Sequence, residues 1–174
     1  REGNLASVLN TFKVNKGELY YLPAGRVHAI GKGVLLAEVQ QTSDVTYRIY
    51  DYDRVDQKTG QKRELHLEES IDAIDFSLVH EYQTNYEKKE NQSNTMIDTP
   101  YFKTKYVNAR KPLQLKYEKN HSFKIFICTS GEGLVKCASN EASLKKGETV
   151  LLAANEEKLT ILLKNKMELL EVSY

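Results

Sequence analysis

KGELYYLPAGRVH (residues 16–28) and KGETVLLAANEEK (residues 146–158) decide the fold. Placed one above the other at an offset of 130 residues, they align Gly17 with Gly147, Glu18 with Glu148, Leu22 with Leu152 and Ala24 with Ala154. Each copy reads as a tight glycine turn, a short strand and a second turn. Self-similarity at a fixed offset marks a duplicated unit, so the chain is expected to hold two copies of one β-module.

The surrounding sequence agrees. Residues 34–40, 46–51, 123–129, 134–137, 159–163 and 168–172 are further short runs rich in Val, Ile, Leu, Tyr, Phe and Thr, punctuated by Gly, Asn, Lys or Pro. Many short strands with glycine-bearing turns predict an antiparallel sandwich or barrel, here repeated in tandem. Two stretches depart from this rhythm. Residues 67–76 (LEESIDAIDF) carry early acidic residues and Leu67, Ile71 and Ile74 at helical spacing, which predicts one short helix. Residues 81–94 (EYQTNYEKKENQSN) lack apolar periodicity and read as a solvated linker. The expected domains are residues 1–80, a linker over 81–98, and residues 99–174. In the second half a hairpin over 123–137, turning at TSGEG, precedes the KGE turn. Its counterpart in the first half falls largely before residue 1, so the first module is expected to be incomplete.

Composition narrows the function classes. The 174 residues carry 25 Lys+Arg against 24 Asp+Glu, a formal net charge of +1. That balance gives no bulk attraction to nucleic acid or to an anionic membrane surface. No apolar run reaches the roughly 18–20 residues of a spanning helix, and the first residues lack the apolar core of a signal peptide. Two cysteines are too few for a disulfide framework. The expectation is a cytoplasmic protein that binds neither nucleic acid nor membrane. Neither GxGxxG nor GxxxxGK[ST] is present, so phosphate-cradling nucleotide folds have no support.

Chemistry concentrates in residues 23–54. In PAGRVHA (residues 23–29), Pro23 and Gly25 make a turn after a strand, a setting that can aim the His28 imidazole into a barrel as a zinc or iron ligand. The alternative is a turn histidine satisfied by a neighbour. The second copy has Lys158 at this position and so lacks the ligand. Along 34–40, alternation puts Leu36 and Glu38 on one face and Val39 on the other. A carboxylate facing a barrel interior is costly unless it is paired or functional. Arg48 lies on the next predicted strand among Tyr47, Tyr50 and Tyr52, and its planar fork suits a phosphate or a developing oxyanion. The plainer reading is an Arg–Glu pair joining two strands. Asp51 and Arg54 read as a rim salt bridge of little energetic weight. His66, His80 and His121 share no metal-ligand spacing and are expected to be structural or solvated. Cys128 and Cys137 flank TSGEG and are expected as packed thiols facing one another across a hairpin.

The segment YYLPAGRVHAIGKGVLLAEVQQTSDVTYRIYDYDR (residues 20–54) resembles the class I mannose-6-phosphate isomerases, a zinc-dependent branch of the cupin superfamily. The resemblance continues through 64–76 and the C-terminal repeat, so the chain looks like the C-terminal part of such an enzyme. It implies an all-β fold of tandem cupin-type jelly-roll barrels, the first incomplete, with one short helix between them. By residue it implies that His28 is one zinc ligand and Glu38 an acid/base candidate. It further implies that Asp44 is a polar active-site group and that Arg48 stabilises an enediol-like transition state or holds substrate. The implied activity interconverts mannose 6-phosphate and fructose 6-phosphate, with a phosphorylated hexose as partner and one zinc ion as cofactor. The family's other ligands sit in an earlier hairpin, and no histidine precedes His28. The isolated chain is therefore expected to be inactive, and to self-associate through an exposed sheet edge. A different reading is a non-catalytic sugar-binding or regulatory cupin, and a third is a storage-type structural bicupin. Joint presence of His28, Glu38 and Arg48 favours the isomerase, since a scaffold needs none of them.

Overall fold

A computed structural model describes residues 5–43, 45–119 and 122–174; Asp44 and His121 lie outside the described residues. The chain divides into two compact units, Arg1–Thr84 and Asn85–Tyr174.

The second unit is the β-domain. Its seven strands are β1 (Ser93–Asp98), β2 (Lys103–Ala109), β3 (Leu113–Lys116), β4 (Lys124–Lys136), β5 (Glu141–Lys145), β6 (Thr149–Leu152) and β7 (Lys158–Ser173). They form one antiparallel sheet in the order β1-β2-β7-β4-β5, with β3 also on β7 and β6 also on β4. The two long strands make this possible. β7 pairs β2 through 167–173 and β3 through 158–161, while β4 pairs β6 through 124–127 and β5 through 132–136. Each long strand therefore serves two short-strand layers, and the sheet closes over itself as a cupin-like jelly roll. Inside lie Val107, Leu115, Phe126, Cys128, Val135, Leu144, Leu152, Leu159, Ile161, Met167 and Leu169. Each large apolar side chain fully buried there contributes about 1.5–3 kcal/mol.

β4 was expected as two strands joined by a hairpin turn at TSGEG. It is instead one bulged strand. Its register with β7 shifts between Cys128 and Ser130 and again between Gly131 and Gly133. The inward positions change accordingly, from Lys124, Phe126 and Cys128 to Val135. The glycines mark a crossing, because a Cβ on Gly131, whose φ is +83°, would fall on the Lys166 carbonyl, and one on Gly133 on that of Leu162. Cys128 and Cys137 therefore do not face each other across a turn, and both are free thiols. The runs 159–163 and 168–172 likewise join as β7, interrupted at the bulge rather than by a turn.

The stretch read as solvated linker contains β1. Asn94 at its start is buried, and its amide donates to the carbonyls of Lys89 and Tyr106 at 2.8 and 3.2 Å. The strand is thus anchored by polar bonds that an apolar pattern does not reveal.

The first unit has two short helices, α1 (Leu5–Val8) and α2 (Leu67–Ala73). α2 begins where expected and ends at Ile74, whose backbone is extended (φ −72°, ψ 129°). Residues 19–22, 34–40 and 46–51, expected as strands, form no ladder among the described residues, where the unit shows only the isolated bridges Tyr20–Gln83 and Val55–Lys62. A strand is held by its neighbours' N–H and C=O groups, and residues 34–40 have none among the described residues. Leu35 is accordingly 85% exposed and Leu36 45% exposed.

Of the repeat, the turns recur in both copies, while among the described residues the strand between them forms only in the second, at Thr149–Leu152. In the first copy the Glu18 N–H donates to the Asn15 carbonyl at 3.3 Å and the Asn15 N–H donates to Glu18 Oε2 at 2.9 Å. In the second, the Glu148 N–H donates to the Lys145 carbonyl at 2.9 Å and the Lys145 N–H to Glu148 Oε2 at 3.0 Å. One turn chemistry thus closes both copies.

Gly131→Ala should lower the stability of the β-domain by about 1–3 kcal/mol from left-handed backbone strain, with the clash against the Lys166 carbonyl adding to it. Urea denaturation followed by far-UV circular dichroism measures it, and an unchanged midpoint would show that β4 does not need the close approach.

Candidate functional site

The PAGR turn fixes the backbone ahead of His28. The Arg26 N–H donates to the Pro23 carbonyl at 3.2 Å, closing a turn with Gly25 at φ +81°. A Cβ on Gly25 would meet the Ala73 carbonyl at the end of α2, and the Asp75 N–H donates to the Gly25 carbonyl at 3.0 Å. An Arg26–Asp75 ion pair at 4.0 Å adds to this contact. The start of the motif therefore rests on the C-terminal end of the helix.

His28 itself is exposed, not aimed into a barrel. Its Nδ1 lies 2.8 Å from the Arg26 carbonyl. A carbonyl only accepts, so Nδ1 carries the proton in this contact, and in the neutral ring Nε2 keeps its lone pair. That is the tautomer a metal-ligating histidine uses. Tight zinc sites take three or four protein donors. Among the described residues no group of three His, Cys, Asp or Glu side chains is arranged to hold a metal ion. The residues present thus supply one imidazole of suitable form and do not make a zinc site.

Glu38 is exposed on the ladderless segment 34–40, a departure from the interior position its alternation suggested, because there is no sheet there to define an interior. Asp44 lies outside the described residues. Arg48 is half-buried and does not pair with Glu38; one guanidinium nitrogen donates to the Glu64 carbonyl at 3.2 Å. None of the hydrogen bonds or ion pairs of the described residues joins His28, Glu38 and Arg48.

Arg48 is nonetheless held firmly, through a residue expected to be merely structural. Its N–H donates to His66 Nδ1 at 3.0 Å, and the His66 N–H donates back to the Arg48 carbonyl at 2.8 Å. His66 is also the N-cap residue of α2, its carbonyl accepting from the Ser70 N–H at 3.1 Å. The Tyr47 ring lies 6.2 Å from the imidazole, centroid to centroid. Helix start and arginine backbone are therefore tied through one side chain. An imidazolium cannot accept the Arg48 N–H, so the clasp requires neutral His66.

Asp51, expected at the rim, is buried at 7% exposure. Arg63 binds it with both nitrogens of its fork, Nε to Oδ2 at 2.7 Å and Nη2 to Oδ1. Arg54 approaches Oδ1 at 3.2 Å and its Nε donates to the Asp51 carbonyl at 3.3 Å. Arg48 is also near enough to act on the same carboxylate. Arg63 and Arg54 thus bracket the Asp51 carboxylate, with Arg48 acting on it at longer range, and guanidinium groups are the donors that suit a phosphate or an enediolate oxygen. The hydrogen bonds from Arg63 hold the Asp51 carboxyl below its ordinary range, against the opposing effect of desolvation. Arg63 and His66 lie 15 and 18 residues beyond Arg48, and no local motif connects them to it.

A pH dependence follows. A depressed folded pKa gives stability that is complete above the unfolded value of about 3.9 and is lost as pH falls through the folded value. The Arg63 Nε–H resonance should stay resolved on acidification to about pH 4 and average out below it. In Asp51→Asn it should be averaged at every pH, and a well-resolved signal in that variant would show that Asp51 does not organise the cluster.

Residues 91–173 match the family described as mannose-6-phosphate isomerase, cupin domain. Mannose-6-phosphate isomerase ManA of Bacillus subtilis is 40% identical over 152 residues, covering 86% of this chain and 47% of that protein. The mannose-6-phosphate isomerase of Streptococcus mutans is 31% identical over 150 residues, with the same coverage of 86% and 47%. The crystal structure of the Bacillus subtilis mannose 6-phosphate isomerase aligns with a TM-score of 0.61 at 30% identity, covering 76% of this chain and 41% of that one. The chain spans about half the length of the curated relatives it matches. With the jelly roll of the second unit, these matches make the chain a C-terminal, cupin-bearing portion of the mannose-6-phosphate isomerase family.

Proposed function

We propose that this chain supplies the arginine-bearing part of the active site of a zinc-dependent, cytoplasmic aldose–ketose isomerase acting on mannose 6-phosphate and fructose 6-phosphate. The observation that carries the reading is Arg48, clasped through its backbone by His66 and set beside the Asp51–Arg54–Arg63 cluster, in a chain of this family. In the isomerisation a proton leaves C2 of the aldose and arrives at C1, while the O2 hydroxyl proton moves to O1. The intermediate carries negative charge on oxygen, and a fixed guanidinium stabilises it without reorganising. Glu38 or Asp44 is the proposed carboxylate that moves the proton. His28, in its Nδ1–H tautomer, is the proposed contribution to the metal, which one donor does not hold by itself. The chain alone is proposed to be inactive for the same reason.

The exposure of His28 and Glu38 favours a second reading, a non-catalytic sugar-binding cupin. Coupled turnover of mannose 6-phosphate separates the two. The assay uses the isolated chain and a chimera in which it replaces the matching portion of Bacillus subtilis ManA, each with zinc added and then chelated. The isomerase reading expects zinc-dependent turnover by the chimera and none by the isolated chain. A chimera that binds the sugar phosphate but turns nothing over contradicts it. In the active chimera, Arg48→Lys should lower kcat by about tenfold or more while KM changes little, because the planar donor is lost in the transition state. An unchanged kcat removes Arg48 from the mechanism.

A further inference from the structure

Inside the second unit the face shared by β2, β7 and β4 is built in rows of directly opposed residues. Val107, Leu169 and Cys128 form one row and are all but inaccessible. One row towards the rim come Lys105, Glu171 and Phe126, and beyond them Lys103, Ser173 and Lys124. Opposed residues point to the same face, so the apolar interior gives way at one end to three lysines and one glutamate. Lys103 and Ser173 also line a hollow of about 460 Å³ with Thr99, Tyr101, Phe102 and Tyr174.

The charges there do not balance. Lys103 is taken by Asp98 at 2.5 Å. Glu171, 1% exposed, accepts from the Ser93 hydroxyl at 2.8 Å through Oε2 and meets Lys105 at 3.5 Å through Oε1. Lys124 is 8% exposed, yet no ion pair of the described residues includes it. Its ammonium lies 4.4 Å from the centre of the Tyr117 ring and donates to the Ser122 carbonyl at 3.1 Å. A buried ammonium with no charge in direct contact is costly. Desolvation accordingly pulls the Lys124 pKa down, Glu171 opposes that and Lys105 adds to it. Glu171 Oε1 and the Tyr117 hydroxyl are both buried and make no well-formed hydrogen bond, Oε1 having only the Lys105 contact and the hydroxyl only the influence of Glu171. A guest that completes this rim must bring an anionic group for the ammonium ions and an O–H for Glu171, which can only accept.

We propose that the rim formed by Lys105, Lys124, Tyr117 and Glu171 is a second ligand site, binding a small phosphorylated polyol with its phosphate on the lysines and a hydroxyl on Glu171 and Tyr117. The site is independent of the isomerase reading, since it lies wholly within the second unit.

Titration of the ¹⁵N-labelled wild-type chain with sorbitol 6-phosphate, inorganic phosphate and sorbitol tests it. The expected result is saturable amide shifts at Lys105, Lys124 and Glu171 with sorbitol 6-phosphate, weaker binding of inorganic phosphate at the same amides, and no response to sorbitol. Lys105→Met should weaken sorbitol 6-phosphate at least about tenfold through loss of a charge-assisted bond, and Arg48→Lys should leave it unchanged. Shifts confined to the first unit, or none in the millimolar range, overturn the site. Equal affinity for inorganic phosphate and sorbitol 6-phosphate overturns the polyol assignment. Because the wild-type shifts locate the ligand directly, a variant that failed to fold would not decide the matter.

Discussion

The pairing of β4 with β7 is the constraint on which the β-domain depends. Each strand must run long enough to carry two layers of short strands, and each must bend to bring those layers face to face. Two long antiparallel strands can do this only where one backbone passes close against the other, and Gly131 and Gly133 are where that happens. The register shift at the same place turns the inward positions of β4 from even to odd numbers, so that Phe126 and Val135 both reach the core. Loss of the crossing would separate the β6 side of β4 from its β5 side and open the barrel.

The first unit is ordered by different means. Its extended segments lack a ladder among the described residues, and much of its apolar surface is exposed. What fixes it locally is a set of polar ties: the Glu18 turn, the Gly25 contact with the end of α2, the His66 clasp on Arg48 and the arginine fork on Asp51. Each satisfies backbone or charged groups that would otherwise be costly to leave unpaired. The result is an arginine cluster tied by its own hydrogen bonds, while the acid/base candidate Glu38 is exposed on a segment without a ladder.

Much of this was legible in the sequence where the signal is local. The KGE repeat predicted two turns that prove to share one hydrogen-bond pattern, β6 falls on residues 149–152 as read, and α2 starts at Leu67. The family was legible because residues 20–54 carry a long continuous resemblance. The failures share a cause. Gly131 and Gly133 read as a hairpin because glycine marks turns and close approaches alike, and only the partner strand distinguishes them. β1 was hidden in a polar stretch because Asn94 is anchored by hydrogen bonds. The strands assigned to 34–40 and 46–51 followed from side-chain pattern, whereas a strand also needs a neighbour. His66 and Arg63 act on Arg48 and Asp51 across intervals that carry no periodicity, so their roles appear only in three dimensions.

Residue-resolved amide hydrogen exchange tests most directly the claim that the first unit holds its arginine site in place without a sheet. The amides of Arg48, Arg54 and His66, each bonded in the structure, should be protected together. Those of residues 34–40 should exchange at the rate of unstructured peptide, and those of β4 and β7 should be the slowest in the chain. An Arg48 amide exchanging as fast as residues 34–40 would contradict it, because the clasp that positions the guanidinium would then not exist in solution.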